Sequence, residues 1–447
     1  MGRRKTHAPL CVYLNNNFVG RLEKEPSGAI FFDYDKSWLE RDRPLAISRS
    51  LPLISKTYRG EIVSAVFENL LPDSERVRSR VAERTGTAGT DAYSLLETIG
   101  RDCVGALQFL PEGFRVESNH EIKGENISET EIEKLISSLS YAPLGISDDD
   151  AFRISVAGAQ DKTALLYHNG KWLKPIGTTP TTHIFKPQMG SIQTFNGAID
   201  MSNSVDNEHY CLALLSAFGL KTANTEIITF GAHRILVVER FDRYHLSQNQ
   251  IIRLPQEDCC QALGVPPTRK YQSTVEGRKN GPSAVDILKL LEEGDSPNQD
   301  RIDFLKSQII FWLTGATDGH AKNFSIFLKP GGGFSLTPFY DVLSVQPAFD
   351  LGQIPNNKFK LAMSAGRNRK YTILRINGRH FVETAKEGGL GIAQIRQAFE
   401  EIMDLISRAA DIALSKMPND FDAAIHESIA KAIQERSVLL GDAFREL

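Results

Sequence analysis

The chain has 447 residues, 41% hydrophobic and 24% charged, with 52 Lys and Arg against 55 Asp and Glu for a formal charge of −3. This composition suits a globular protein with sizeable cores and excludes disordered and collagen-like classes, and the near-neutral total excludes a chain coated in positive charge as a histone is. No uncharged apolar run approaches the roughly 18 residues that cross a bilayer, so no membrane partner is expected.

Arg3-Arg4-Lys5 ahead of Ala8 to Leu14 resembles a secretory leader only superficially, because the apolar part is short, contains Pro9 and runs into Asn15-Asn16-Asn17. Cys11 to Leu14 and Phe18 to Leu22 read as a hairpin around those asparagines, and Ala29 to Asp33 as a further strand. Val63, Val66, Phe67, Leu70 and Leu71 follow a helical period, which Pro72-Asp73-Ser74 ends while capping a second helix from Glu75 to Glu83. Residues 1–115 therefore read as a small α+β module. Residues 116–150 turn polar and are expected as a helical linker, with Ser128 to Glu131 a capping box ahead of Ile132, Leu135, Ile136 and Leu139. Residues 151–255 alternate strands with one helix in the order β, β, α, β, β: 163–167, 182–186, the helix 208–218, 226–230 and 233–239. Residues 256–447 are mainly helical, over 284–293, 301–314, 391–416 and 420–439, with two short strands at 324–328 and 333–337. The expected fold class is α+β, two-lobed and kinase-like, with a β-rich first lobe and a helical second lobe behind the small module. Cys11, Cys103, Cys211, Cys259 and Cys260 show no metal-ligand spacing, and a reduced, cytoplasmic compartment is the natural reading.

The chemistry concentrates at Asp318-Gly-His-Ala-Lys-Asn323, after the apolar helix segment Ile309 to Leu313, and at Asp341 beyond the two short strands. Phosphoryl transfer needs a carboxylate near the attacking hydroxyl, an amide oxygen and a second carboxylate to hold magnesium, and a lysine on the phosphates. Asp318, Asn323 and Asp341 supply the first three. Lys186 ends a strand of the upstream lobe, and Glu208 opens the next helix, where a kinase places the acid that pairs with its lysine. Glu239-Arg-Phe241 falls where a hinge presents backbone to adenine, and Ser155-Val-Ala-Gly-Ala-Gln-Asp161 offers small residues whose amides can approach phosphate. Taken singly, Asp318 and Asn323 read as turn or cap residues, Lys186 as a solvated strand end and His320 as a loop histidine. Their order along the chain is what favours a kinase.

Phe152 to Leu166, Pro180 to Lys186, Val238 to Asp242, Arg253 to Asp258, Gly315 to Phe324 and Leu336 to Asp341, with Asn69 to Ser74 and Glu97 to Asp102 in the first module, resemble the signature segments of HipA. HipA is the serine/threonine kinase toxin of bacterial HipA–HipB toxin–antitoxin modules. The resemblance implies that Asp318 is the catalytic base, Asn323 and Asp341 the Mg²⁺ ligands, Lys186 the contact to the α/β-phosphates of ATP, and Glu239 and Phe241 the adenine-side contacts. It implies that Val156, Ala157, Gly158, Ala159, Gln160 and Asp161 form the phosphate loop. His320 and Lys322, inside the catalytic segment, join the nucleotide-binding set. It further implies autophosphorylation of Ser155 as an off-switch, a translation-related protein substrate of the glutamyl-tRNA synthetase class, growth arrest and persistence, and a HipB-like helix-turn-helix antitoxin that holds the kinase on operator DNA as a co-repressor, and thus on the nucleoid.

One charge feature stands apart from the kinase residues. Residues 351–382 contain no Asp or Glu but seven bases, so the remainder of the chain carries −10. Within this stretch Arg367, Arg369 and Lys370 are expected as a DNA-backbone contact, against the plainer reading of a solvated loop. The alternatives to a protein kinase are a small-molecule phosphotransferase, which shares the Asp-x₄-Asn and later Asp, and a DNA-bound co-repressor with a vestigial kinase.

Overall fold

The computed structural model describes residues 7–114, 122–146, 154–158, 160–194, 197–273 and 280–447. The amino-terminal module is built on a five-stranded antiparallel sheet in the order Tyr58–Arg59, Ile30–Tyr34, Asn17–Lys24, Leu10–Leu14, Leu107–Pro111. Its first hairpin closes through Asn15 and Asn16 with φ of 46° and 63°, a left-handed turn that asparagine tolerates and that matches the twist of the flanking strands. Helices Glu61–Glu68, Glu75–Thr85 and Ala92–Ile99 complete a core around Phe32, Phe67, Tyr93 and Phe109. The same core takes in Ile154 and Val156, so the start of the glycine-containing loop is anchored inside this module.

The second layer is a six-stranded antiparallel sheet in the order Thr225–Phe230, His233–Glu239, His183–Pro187, Thr163–His168, Lys171–Pro175, Gly124–Asn126. The last two were not expected as strands, because Lys-Trp-Leu-Lys-Pro and Gly-Glu-Asn lack an alternating apolar pattern; Gly124–Asn126 forms the edge, and Lys171–Pro175 pairs on both sides. Both halves of the Ser128–Glu131 capping box form, and the helix Glu129–Ser138 sets Ile132, Leu135 and Ile136 against Leu165, Phe185 and Ile235 of the sheet. The stretch expected as a linker thus supplies an edge strand and a cover helix to this sheet. The next helix runs Ser204–Ala217 and begins earlier than its apolar pattern suggests, because Gln188 Oε1 accepts the Val205 N–H at 2.9 Å and the Ser204 hydroxyl at 3.2 Å. Glu208 consequently lies in the second turn of this helix and does not open it.

The largest core belongs to the helical lobe of Ala284–Glu292, Pro297–Thr314, Gly378–Glu387, Ile392–Leu405, Ala409–Leu414 and Ala423–Arg445, with Phe304 and Trp312 fully buried at its centre. The stretch 391–416 divides into two helices, and Gly378–Glu387 was not expected as a helix. Strands Gln256–Asp258, Ser325–Leu328 and Phe334–Leu336 form a small antiparallel sheet beneath the first lobe. Among the described residues no helix is long and apolar enough to cross a membrane, and the five cysteines are buried and unpaired.

Four of the long motifs meet in one buried ion cluster between module and sheet. Asp102 Oδ1 accepts from Arg243 Nη2 and Arg253 Nε, each at 2.9 Å, and Oδ2 accepts the Thr181 N–H at 3.0 Å with Arg240 Nη1 at 3.3 Å. Asp242 accepts from Arg240 at 2.8 and 3.0 Å and from the Gly105 N–H at 2.7 Å. Burial alone would push the Asp102 carboxyl up, but Arg243, Arg253 and Arg240 outweigh it and hold the group well below the carboxylate range. A second seam joins the Ser48 hydroxyl and the Arg49 N–H to the carboxylate of Glu257 at 2.5 and 2.8 Å. Burial pushes the Glu257 carboxyl up to about 8 despite these two donors.

Candidate active site

Lys186 is paired with Leu236 across the central strands, and its ammonium leaves the sheet to donate to Glu208 Oε1 at 2.7 Å and Asp341 Oδ1 at 2.8 Å. Two devices hold this triad. Gln188, two residues on, caps the helix that carries Glu208, and Asn207 of that helix exchanges two 2.8 Å hydrogen bonds with the backbone of Ser344, just past Asp341. Burial would lower the lysine, but Asp341 and Glu208 keep it firmly protonated. Burial by itself would raise the Asp341 carboxyl, yet Lys186 and Lys162 outweigh it and hold the group well below the usual range. Glu208 is the acid pushed up, by its burial and by the charge of Asp341.

Asp341 has a φ of 58°, a left-handed conformation that aspartate tolerates better than most residues and that turns the chain sharply back toward Lys186. Its approach is fixed by Phe339, whose N–H donates to Lys221 O and whose carbonyl accepts from the Ala223 N–H, both at 2.8 Å. Tyr340 donates its hydroxyl to Lys322 O at 2.9 Å and meets Ser325 Oγ at 2.6 Å, tying the Asp341 loop to the Asp318 loop.

The helix Pro297–Thr314 ends at Gly315 in the left-handed region, φ 73°, and releases the chain toward Asp318. Asp318 is exposed; its carbonyl accepts the His320 N–H and the Asn323 Nδ2, both at 2.7 Å, and its Oδ1 accepts the Tyr271 hydroxyl at 2.6 Å. Asn323 thereby has its amide nitrogen committed to the loop, which turns the carbonyl oxygen the other way. His320 is buried edge-on to Tyr271, with ring centroids 4.8 Å apart, and its Nδ1 has no hydrogen-bond partner among the described residues. Burial lowers its pKa against the opposing pull of Asp318, which keeps the ring neutral near pH 7.

The glycine-containing loop starts at Ser155, fully buried, with its N–H donated to Asp102 O at 3.0 Å and its hydroxyl to Leu70 O at 2.7 Å. Val156 is buried in the module core; Ala157 and Gly158 are half-buried; Gln160 Nε2 reaches Pro187 O at 2.9 Å; Asp161 is exposed; Ala159 lies outside the described residues. Gly158 is required by its φ of 112°; a Cβ there would meet the end of the Lys162 side chain, 2.4 Å from Nζ. Lys162, not singled out in the sequence, is buried with its ammonium on Ala157 O at 2.7 Å. Burial and the neighbouring Lys186 push its pKa down to about 8.

Glu239 is exposed at the strand end opposite His183, accepting from Asn224 Nδ2 at 2.9 Å, and Phe241 packs 5.7 Å from the Tyr340 ring beside Val205, Ala223 and Val238. Lys322 departs from its expected place in the nucleotide set. It is buried with its ammonium on Asn69 O at 2.9 Å and 3.2 Å from Asp73 Oδ1, both of the amino-terminal module, and 3.8 Å from Asp258 Oδ2. Arg367 and Arg369 are exposed in the turn of a hairpin formed by Lys360–Ala365 and Lys370–Thr372, remote in sequence from all these residues. Lys162, Tyr271 and Tyr340 carry no spacing rule that would have marked their roles; each is defined by the partner that folding brings to it.

A family model of the HipA-like C-terminal domain matches residues 154–412, more than half of the chain, and one of the HipA N-terminal domain matches residues 10–110. The chain belongs to the HipA family. Among HipA-like relatives, "Putative kinase Y4mE" of Sinorhizobium fredii is 31% identical over 96% of this chain and 98% of its own length. The serine/threonine-protein kinase toxin HipA of Shewanella oneidensis is 29% identical over 76% of each chain. The fold is that of HipA in the Shewanella oneidensis complex of HipA, HipB and operator DNA, with a TM-score of 0.79 at 24% identity over 98% of this chain and 99% of that one. The protein is a HipA-family kinase with a two-lobed kinase-like fold behind the HipA N-terminal domain.

Proposed function

We propose that this HipA-family kinase transfers the γ-phosphoryl group of ATP to a serine or threonine hydroxyl of a protein, as the toxin of a toxin–antitoxin pair. The observation that carries the reading is the Lys186 ammonium held between Glu208 and Asp341, with exposed Asp318 and the oriented Asn323 carbonyl on the same floor. Phe241 and Glu239 would flank adenine at the strand end, and Lys186 would meet the α/β-phosphates. Asp341, kept ionised by two lysines, and Asn323 fit magnesium, a hard cation that takes few protein oxygens and leaves its remaining positions to phosphate and water. When bound there the ion neutralises charge on the phosphates. The buried, unpartnered nitrogen of His320 suits a phosphate oxygen beside it. Asp318 accepts the proton of the attacking hydroxyl as its oxygen bonds to the γ-phosphorus, the bond from that phosphorus to the bridging oxygen breaks, and ADP leaves.

In the present arrangement the Ser155 hydroxyl is sealed against Leu70 O, so self-modification requires this segment to leave the module core. A phosphate of charge near −1.5 to −2 would not fit back into a site with no exposure, which would keep the loop out and switch the kinase off. The test is incubation with labelled ATP and Mg²⁺ followed by mass spectrometry. Phosphate on Ser155, absent from an Asp318→Ala variant, is the expected result; no label on the chain or on any lysate protein would overturn the protein-kinase reading and count strongly for the co-repressor.

By the same family reading the partners are a HipB-like antitoxin, its operator DNA, and a substrate of the aminoacyl-tRNA synthetase class. Arg367, Arg369 and Lys370, at the hairpin turn, would touch the DNA backbone. Replacing all three by Ala is expected to weaken operator binding of the assembled complex and to flatten the log–log salt slope by up to about 3, with ATP hydrolysis unchanged. A slope equal to the wild type's removes the DNA role.

A further inference from the structure

The Asn69-Leu-Leu-Pro-Asp-Ser74 turn belongs to the amino-terminal module and supplies no reacting group, yet it touches three parts of the site. The Asp73 N–H donates to Gly158 O at 3.2 Å, and Pro72 bridges Gly158 in parallel, so this turn carries the glycine loop. Asp73 Oδ2 accepts from Lys270 Nζ at 2.7 Å, and Oδ1 lies 3.2 Å from Lys322 Nζ. Each lysine is attached to a working element. Lys322 sits inside the Asp318–Asn323 loop, and its carbonyl receives the Tyr340 hydroxyl. Lys270 accepts the Ala321 N–H on its carbonyl at 3.2 Å and immediately precedes Tyr271, whose hydroxyl holds Asp318 Oδ1. Although Asp73 is predisposed by sequence to cap the helix Glu75–Thr85, that helix has no side-chain cap, and the carboxylate faces the two lysines instead. Burial raises its pKa, but Lys322 and Lys270 outweigh this and lower it to about 2, so it is a full anion at neutral pH.

We propose that Asp73 is a positioning residue for phosphoryl transfer, setting the Asp318–Asn323 loop and the Lys270–Tyr271 strap against the glycine loop, so that catalysis requires a seated amino-terminal module. The proposal rests on the kinase reading of Asp318, Asn323 and Asp341. The physical reason is that Asp73 is the anion two long, nearly enclosed lysine side chains share, while Asp258 reaches Lys322 at the longer distance of 3.8 Å. Without it their mutual repulsion and desolvation drive them apart, and Asp318 loses the orientation that Tyr271 gives it.

The test uses the full chain, with label transfer from MgATP to the chain itself for rate and a fluorescent ATP analogue for affinity. Asp73→Asn is expected to lower the transfer rate constant about 10- to 100-fold, as a displacement of about 1 Å does, while analogue affinity changes less than about threefold. Lys270→Met keeps the aliphatic stem, removes one arm of the device, and is expected to show the same split if Asp73→Asn does not fold. Tyr271→Phe should also slow transfer, and the Asp73→Asn, Tyr271→Phe double variant should be no slower than the worse single variant, because both act on the Asp318 carboxylate. Additive losses, equal falls in rate and affinity, or rates within threefold of wild type in both Asp73→Asn and Lys270→Met would overturn the positioning role. A wild-type chain that transfers no label would overturn the kinase reading itself, and this proposal with it.

Discussion

Replacing Asp341 by Asn is expected to reduce phosphoryl transfer by about a hundredfold or more with little change in the melting temperature. Asparagine is close in shape and accepts the φ of 58° at this position, so the backbone turn survives the substitution. The charge does not. Lys186 would keep only Glu208 as its ion-pair partner, and the metal position would lose the one carboxylate of the pair Asn323 and Asp341. Charge stabilisation at a metal-assisted phosphoryl centre is worth several kcal/mol, and each 1.4 kcal/mol or so is tenfold in rate. The measurement is label transfer from MgATP, alongside thermal unfolding of the same preparation. A residual rate within tenfold of wild type would remove Asp341 from the centre of the mechanism.

The second large effect lies outside the site. Asp102→Ala leaves Arg240, Arg243 and Arg253 buried with Asp242 as the remaining acid of the cluster, and breaking a buried ion network from one side costs about 3–5 kcal/mol. It also removes the carboxylate that accepts the Thr181 N–H and hydroxyl, whereas the backbone carbonyl that accepts the Ser155 N–H is retained in alanine. The pH dependence has a definite sign. The folded-state pKa of Asp102 is depressed, so its stabilisation is complete above the unfolded carboxylate value and is lost as pH falls through the lower folded value. The stability gap between wild type and Asp102→Ala should be constant above about pH 5 and narrow on acidification. Urea unfolding at neutral and acid pH measures both quantities; a gap below about 1 kcal/mol at neutral pH would show that the arginines find other partners.

Residues whose roles depend on local chemistry were legible in the chain. Asn15 and Asn16 make the turn that their tolerance of positive φ predicts, and the Ser128–Glu131 box caps its helix. Residues whose roles depend on distant partners were not. Glu208 was placed at a helix start because Gln188, which begins the helix earlier, lies outside it; Lys322 was assigned to the nucleotide because nothing near it in sequence announces Asn69 and Asp73.

The same division holds for the whole protein. Period, turn chemistry and the order of a few charged residues are short-range quantities written along the chain; they determined the two-lobed class and marked Lys186, Asp318, Asn323 and Asp341 as candidates, while the long signature segments carried the family. Where the anions and cations pair is a long-range quantity, set by which surfaces exclude water from them. Only the tertiary structure could therefore decide that Asp102 gathers three arginines, that Lys162 and Lys186 flank Asp341, and that Asp73 reaches from the amino-terminal module to the Asp318–Asn323 loop. Burial strengthens each of these charges' need for one particular partner, and no spacing rule encodes a partner some 200 residues away, as Asp73 and Lys270 are at a separation of 197.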